Sequence, residues 1–173
     1  MSLINEISIE NDYRRIRQEL FTLISPDCWE ITPHKWCLTT AKTKYGLADS
    51  KGVIHINHRF IGTPYQSLME AVLRHEFAHL CVGLTQGHNK HFKHCEHLFK
   101  AKFDGHVKMQ AQAFGQLVNY KYQLVAVLAN GQVIKLKKAH RKHRKYTGYR
   151  YKFYRALYYH QQAIKKFKYI SLD

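Results

Sequence analysis

The segment His75-Glu76-Phe77-Ala78-His79 places two histidines four residues apart, with a glutamate directly after the first. In an α-helix, residues i and i+4 lie on the same face, so both imidazoles can bind one metal ion. Zinc lowers the pKa of a water molecule towards ~7, and a neighbouring carboxylate can take its proton and pass it to a leaving amine. The spacing therefore predicts a zinc-dependent peptidase with His75 and His79 as ligands and Glu76 as general base.

The motif lies in an apolar segment that is itself predicted to be helical. Thr63 is expected to cap this helix, with Pro64 at its first position, and Gly83 to end it. The chain has thirteen histidines, so a chance match or a solvated histidine face is the competing interpretation. Unpaired histidines and a glutamate would be costly to bury in this context, and a bound metal removes that cost.

A catalytic zinc site needs a third protein ligand and an open position. The metzincin arrangement is excluded, because Thr85 occupies the position six residues after His79. The residues downstream that remain as third ligand are His88, His91, His94, His97 and the carboxylate Glu96.

Residues 72–80 and the following Gly87-His88-Asn89-Lys90-His91-Phe92 resemble the SprT-like metalloproteases, the group that includes Spartan. Those proteins have H-E-x-x-H, a variable loop and then G-H-G-x-x-F, whose histidine is the third ligand. The resemblance covers roughly residues 10–104 and implies His88 as that ligand. Asn89 departs from the pattern, and His91 remains the rival.

The elements around the motif fit a small α+β domain. Residues 9–24 are predicted to be helical, Trp36 to begin a strand, and residues 46–57 to form a hairpin. Asn89 is expected to cap a third helix that ends near residue 104. The resemblance implies a zincin-like order of helix, short antiparallel sheet, H-E-x-x-H helix and third helix, with residues 53–57 as the strand that pairs with substrate.

Positive charge is concentrated at the end of the chain. The formal net charge is +16, and residues 119–173 hold 14 Lys/Arg, nine of the twelve tyrosines and one acidic residue, Asp173. This change in composition predicts a protease domain at 1–104, a connector at 105–118 and a basic, tyrosine-rich β domain at 119–173. Strands are expected at 120–128 and 132–136 around the hairpin turn Asn130-Gly131, and again at 148–155 and 166–172.

In many SprT-like proteins this position holds a zinc ribbon, but the tail has no cysteine. We therefore expect a degenerate ribbon without a second zinc ion. Its cations can neutralise phosphates and its tyrosines can stack on bases, which predicts DNA binding, single- or double-stranded, with little sequence specificity. The expected contacts are Lys135, Lys137, Lys138, Arg141, Lys142, Arg144, Lys145, Arg150, Lys152 and Arg155.

The sequence shows no membrane-length apolar run and no export signal, and its four cysteines are expected to be reduced. A cytoplasmic protein is predicted, associated with the nucleoid if it is bacterial. The resemblance implies an endopeptidase that cleaves DNA-associated proteins, including crosslinked ones. The alternative is a non-proteolytic nucleic-acid-binding or regulatory protein with a structural or vestigial zinc site.

Overall fold

The computed structural model describes residues 2–117 and 120–172. The fold is α+β, and the chain divides after Leu117 into two compact units. The described residues contain five α-helices and two small sheets, one sheet in each unit. No helix among them is both long enough and apolar enough to cross a membrane.

The first unit begins with helix α1, Glu6–Leu23. Its start is earlier than the predicted residue 9 because Asn5 and Ser8 form a reciprocal capping box. Apolar side chains at helical spacing, including Ile9, Ile16 and Leu20, are fully buried in the first core. The predicted helix is therefore confirmed and anchored by the face that its periodicity indicated.

Three short strands follow: β1 Lys35–Thr39, β2 Gly46–Ala48 and β3 Val53–Asn57. The predicted hairpin is confirmed as the antiparallel pair β2–β3, but β1 pairs with β3 in parallel. The sheet is thus mixed rather than antiparallel, in the order β1-β3-β2. The prediction that residues 53–57 pair with substrate is wrong, because β3 is the central strand with both edges paired, and β2 is an edge strand.

Helix α2, Gln66–Val82, contains the two motif histidines, and α3, Lys90–Leu98, follows it. Thr63 does not cap α2: its hydroxyl donates to the Phe60 carbonyl, and the helix begins three residues later. Asn89 does cap α3 as predicted, because its side chain accepts a hydrogen bond from the Phe92 amide. The loop before α3 is thereby held at the start of that helix.

The segment predicted as a connector is instead mainly helix α4, Gly105–Gln116. Asp104 caps it by accepting from the Val107 amide, and Val107 and Phe114 are buried in the first core. The Phe114 ring packs 4.4 Å from that of Phe60, centroid to centroid. Residues 105–116 therefore belong to the first unit, and the last residue of the predicted connector, Val118, lies outside the described residues.

The second unit contains β4 Tyr122–Leu128, β5 Val133–Ala139, the one-turn helix α5 Arg144–Thr147, β6 Tyr158–Tyr159 and β7 Gln162–Ser171. The strands form one antiparallel sheet in the order β5-β4-β7-β6. The predicted β4–β5 hairpin is confirmed, with Gly131 at a φ of 85° in its turn. The predicted strand at 166–172 is also confirmed, as part of β7.

The predicted strand at 148–155 is wrong. Residues 153–155 form a 3₁₀ turn instead. Tyr146 and Tyr149, three residues apart, both pack on Phe167 of β7, and the Tyr149 hydroxyl donates to the Ile164 carbonyl. Their regular spacing reflects packing on the sheet rather than the alternation of a strand.

Candidate metal centre

Three histidine side chains converge in a cleft of the first unit. His75 and His79 are one turn apart on α2, and His88 precedes α3. Their ring centroids are 4.9, 5.0 and 5.2 Å apart, and one potential ligand atom from each lies within 4.8 Å of the others. The structure thus brings together the three histidines that the motif and the family resemblance indicated.

The spacing of the ring nitrogens fits a tetrahedral metal site. Nε2 of His75 lies 3.3 Å from Nε2 of His88. Zinc–nitrogen bonds of about 2.0–2.1 Å in tetrahedral geometry separate two ligand nitrogens by about 3.3 Å. Three imidazoles are also the ligand set of some catalytic zinc sites, which leave one coordination position open. The residues present therefore fit a zinc ion.

Phe92 supports the cluster from α3. Its fully buried ring lies 4.3 Å from the His79 ring, 4.8 Å from that of His88 and 5.1 Å from that of His75. One aromatic side chain thus contacts all three imidazoles. This packing restricts their rotamers, so little freedom would be lost when a metal binds.

Glu96 orients His75. Its Oε1 lies 2.6 Å from Nδ1 of His75, so a ring that donates from Nδ1 directs the lone pair of Nε2 towards the other histidines. Sequence reasoning included Glu96 among the third-ligand alternatives, but the structure places it behind His75. In the sequence, only the position of Glu96 one helical turn after Phe92 could have indicated this role.

The electrostatic surroundings favour neutral imidazoles. Burial lowers the pKa of His79 to about 4, and the neighbouring His75 and His88 act in the same direction. Burial also lowers the pKa of His75, although Glu96 opposes this effect. A neutral imidazole is the form that binds a metal ion, so the site need not lose protons from these rings at neutral pH.

Glu76 lies in the same cleft as the three histidines and is only 6% exposed. Burial raises the pKa of its carboxyl group to about 7, against the opposing effects of a hydrogen bond from the Ala48 amide and the charge of Lys44. A general base functions best when its pKa is near the working pH, because it can then both accept and return a proton.

Edge strand β2 forms one wall of this cleft, whose volume is about 500 Å³. It lies against α2 because Gly46 has no side chain: a Cβ there would lie 2.7 Å from Val72 Cγ1 and 3.2 Å from Glu76 Cγ. The predicted hairpin begins at Gly46, but the sequence pattern gives no reason for a glycine there. The structure supplies the reason, which is the close approach of β2 to Val72 and Glu76 of α2.

The other histidines of this region lie elsewhere. His91, His94 and His97 are exposed on α3, and none belongs to the cluster found among the described residues. His58 is exposed, with Nδ1 3.2 Å from the Thr39 carbonyl oxygen. His55 is partly buried on β3 and contacts Cys37 and Asp49.

The ten predicted nucleic-acid contacts are all exposed in the second unit. Lys137 and Lys145 both lie over the Tyr146 ring, and Lys142 lies over Tyr122. Sequence reasoning missed three exposed lysines of β7. They are Lys165, Lys166 and Lys168.

Pairing across the sheet places some of these cations on one face. Val125 of β4 is opposite both Lys135 and Lys168, and Val127 is opposite Lys166. Directly opposed residues share a face of the sheet. Lys135 is thereby grouped with two lysines that are about 30 positions away in the sequence, which no local pattern could reveal.

A helix that presents two histidines and a buried glutamate beside a third histidine defines a metallopeptidase-type site. The model of the YgjP-like metallopeptidase domain matches residues 9–101, more than half of the chain. The chain therefore belongs to the YgjP-like family of zinc metallopeptidases, which confirms the SprT-like resemblance. Neither the curated proteins nor the solved structures contain a significant match.

Proposed function

We propose that the first unit is a zinc endopeptidase in which His75, His79 and His88 bind the ion and Glu76 is the general base. The observation that supports it is the convergence of the three imidazoles in the same cleft as the buried Glu76 carboxylate. His88 is favoured over His91 because its ring lies about 5 Å from both motif histidines.

The catalytic roles follow from the chemistry of these groups. A bound zinc ion supplies Lewis acidity, which acidifies water and polarises a carbonyl group. Glu76 accepts the proton of the attacking water and returns it to the leaving amine. In the metal-free cleft, burial raises the pKa of its carboxyl group to about 7, and the charge of a bound zinc ion would favour the ionised form that acts as base. The Ala48 amide donates to this carboxylate and keeps it beside the cleft.

The substrate backbone is proposed to pair with β2. The Asn57 amide donates to the Tyr45 carbonyl and the Asp49 amide to that of Val53, so odd-numbered residues here bond to β3. By the alternation of an antiparallel ladder, Gly46 and Ala48 direct their backbone groups away from β3. Because the Ala48 amide donates to Glu76, the groups offered to substrate are the Gly46 amide and the Gly46 and Ala48 carbonyls. An extended peptide can bond to this edge in the cleft, which favours cleavage of unfolded or flexible segments.

Replacing Glu76 with Gln tests the mechanism, because the amide keeps the size of the side chain but cannot act as a base. We expect Glu76→Gln to retain zinc, measured by elemental analysis, and to lose peptide-bond cleavage of an unfolded protein substrate by about 10²-fold or more. His58 is an exposed histidine outside the cluster, so His58→Ala serves as the control and should retain both zinc and cleavage. Full cleavage by Glu76→Gln would reject the role of Glu76.

The second unit is proposed to bind DNA and to hold the peptidase close to DNA-associated, including crosslinked, protein substrates. Its described residues include no aspartate or glutamate, and its cations are exposed. Exposed rings accompany them: Phe153 is 82% and Tyr154 74% exposed, surfaces on which bases can stack. Tethering raises the effective concentration of an enzyme near its substrate.

Salt dependence tests this proposal in the full chain. Substituting Lys135, Lys166 and Lys168 together with Gln removes three cations from one sheet face. We expect weaker DNA binding, and a slope of log K against log salt that is reduced by roughly 2 to 3, since each phosphate contact contributes about 0.9 for duplex DNA.

The control carries three matched substitutions in the first unit. These exposed lysines are Lys51, Lys93 and Lys108. Equal losses of DNA affinity in the two triple variants would show that the effect reflects net charge. That result would reject a defined DNA-binding surface on β5 and β7. Circular dichroism of both variants separates lost binding from lost folding.

A further inference from the structure

A second group of chemically active side chains lies outside the metal cleft, on the sheet of the first unit. Cys37 of β1 and His55 of β3 are directly opposed, and Cys37 Sγ lies 3.0 Å from His55 Nδ1. Nε2 of the same ring lies 2.9 Å from Asp49 Oδ2. A thiol, an imidazole and a carboxylate are thus in series, the arrangement of a nucleophile, its base and the group that orients the base.

These side chains occupy the face of the sheet opposite to the core. Ile54 and Ile56 of β3 are completely buried in the first core, and successive strand residues point to opposite faces. His55 therefore points away from that core. Its side chain is 26% exposed and that of Asp49 is 31% exposed, while Cys37 is partly exposed. A small solute can reach the group.

The hydrogen bonds determine which nitrogen of His55 carries the proton. Asp49 Oδ1 accepts from the Lys51 and Val53 amides, which fixes the carboxylate. The hydrogen bond from His55, supported by those from the two amides, holds the pKa of Asp49 below its usual range. The carboxylate can only accept, so His55 donates from Nε2. Its Nδ1 then presents a lone pair to Cys37 and accepts the S–H proton.

We propose that Cys37 is a modification site, a nucleophilic thiol that reacts with small disulfides, with His55 as its base and Asp49 as the residue that orients the base. This proposal does not depend on the peptidase function. In the reaction, His55 takes the thiol proton and the Cys37 sulfur attacks one sulfur of the disulfide. A mixed disulfide forms, the S–S bond of the reagent breaks, and its second half leaves as a thiolate, which the His55 proton can neutralise.

The four cysteines allow an internal comparison. Cys81 and Cys95 are buried, whereas Cys28 is exposed. Each accessible thiol can be studied alone in the full chain, as Cys28→Ser or as Cys37→Ser. The probe is 5,5′-dithiobis(2-nitrobenzoate) at neutral pH, which releases one coloured thiolate for each thiol modified.

We expect Cys37, in Cys28→Ser, to react at least about tenfold faster than Cys28 in Cys37→Ser, although Cys28 is the more exposed. The His55 nitrogen 3.0 Å from the Cys37 sulfur can take the thiol proton as the sulfur attacks, and a base in this position accelerates the reaction of a thiol. Mass spectrometry should locate the adduct on Cys37. Equal rates, or a slower Cys37, would overturn the proposal.

Asp49→Asn in the Cys28→Ser background tests the role of His55 without removing it. The amide oxygen can still accept from the Lys51 and Val53 amides, so the turn is preserved. The amide nitrogen donates to Nε2, which leaves the proton on Nδ1, where it blocks transfer from Cys37. We expect modification to slow by about tenfold. His55→Gln should slow it as much, and circular dichroism checks folding. An unchanged rate in a folded Asp49→Asn variant would also overturn the proposal.

Discussion

Glu96 Oε1 lies 2.6 Å from His75 Nδ1, on the far side of the ring from Nε2, which is 3.3 Å from His88 Nε2. A side chain of α3 therefore determines which nitrogen of an α2 histidine faces the metal site. Carboxylates in this position fix the tautomer and orientation of a ligand and increase its basicity. This contact brings a second side chain of α3, besides Phe92, to the candidate metal site.

We expect Glu96→Ala to weaken zinc affinity by about 10- to 100-fold, because His75 loses the group that orients it. Competition with a chromophoric chelator measures the affinity. The amide oxygen of Glu96→Gln can still accept from Nδ1, so the zinc affinity of this variant should lie between those of the wild type and Glu96→Ala. Glu30→Ala, at an exposed glutamate, is the control. Unchanged affinity in Glu96→Ala, with unchanged thermal stability of the metal-free protein, would show that the contact does not position the ligand.

His88 and His91 are both exposed and only three residues apart, which makes them a matched pair. We expect His88→Ala to lose most bound zinc, because its ring lies with those of His75 and His79. We expect His91→Ala to retain it. Equilibrium dialysis followed by elemental analysis measures both. The reverse result would assign the third ligand to His91 and contradict the proposed site.

Gly46→Ala should destabilise the protein by about 1–3 kcal/mol, because the new Cβ would lie 2.7 Å from Val72 Cγ1. It should also reduce cleavage, since the Glu76 Cγ is 3.2 Å away on the same side. Denaturant unfolding measures the first effect. Adding Val72→Ala should recover part of the loss by removing the clashing methyl group. Gly115→Ala, in α4 with open space around it, should be neutral or slightly stabilising.

Glu19 and Arg74 form an ion pair between α1 and α2, with Nη2–Oε2 and Nη1–Oε1 distances of 2.6 and 3.1 Å. The hydrogen bonds from Arg74 lower the pKa of Glu19 from its ordinary value of 4.5. A lowered pKa means that the pair stabilises the fold above that value, and that this stabilisation is lost as the pH falls through the folded-state pKa.

The free energy of unfolding of Glu19→Gln should therefore fall below that of the wild type at pH ~7, and the difference should shrink at pH ~3. Urea unfolding at both pH values measures it. Glu30→Gln, at an exposed glutamate, is the control: it measures the change in the free energy of unfolding that follows from losing a carboxylate outside this ion pair. A difference between Glu19→Gln and the wild type that does not change with pH would mean that the ionised carboxylate contributes nothing to stability.

Local sequence determined much of this protein. The spacing of His75, Glu76 and His79 on one helix face, the Asn89 cap and the Asn130-Gly131 turn depend on residues within about one turn of each other. Helical and hairpin hydrogen bonds have that short range, so their patterns can be read directly from neighbouring residues. The excess of cations in residues 119–173 is likewise a property of the sequence alone.

Tertiary structure decided the rest, because it depends on which distant segments pack together. The parallel pairing of β1 with β3 made β2 the edge strand and brought Cys37 beside His55. Packing of α3 on α2 placed Glu96 behind His75, and sheet pairing placed Lys135 with Lys168. These contacts arise from the competition of all segments for one buried core, a long-range property that the spacing of neighbouring residues does not encode.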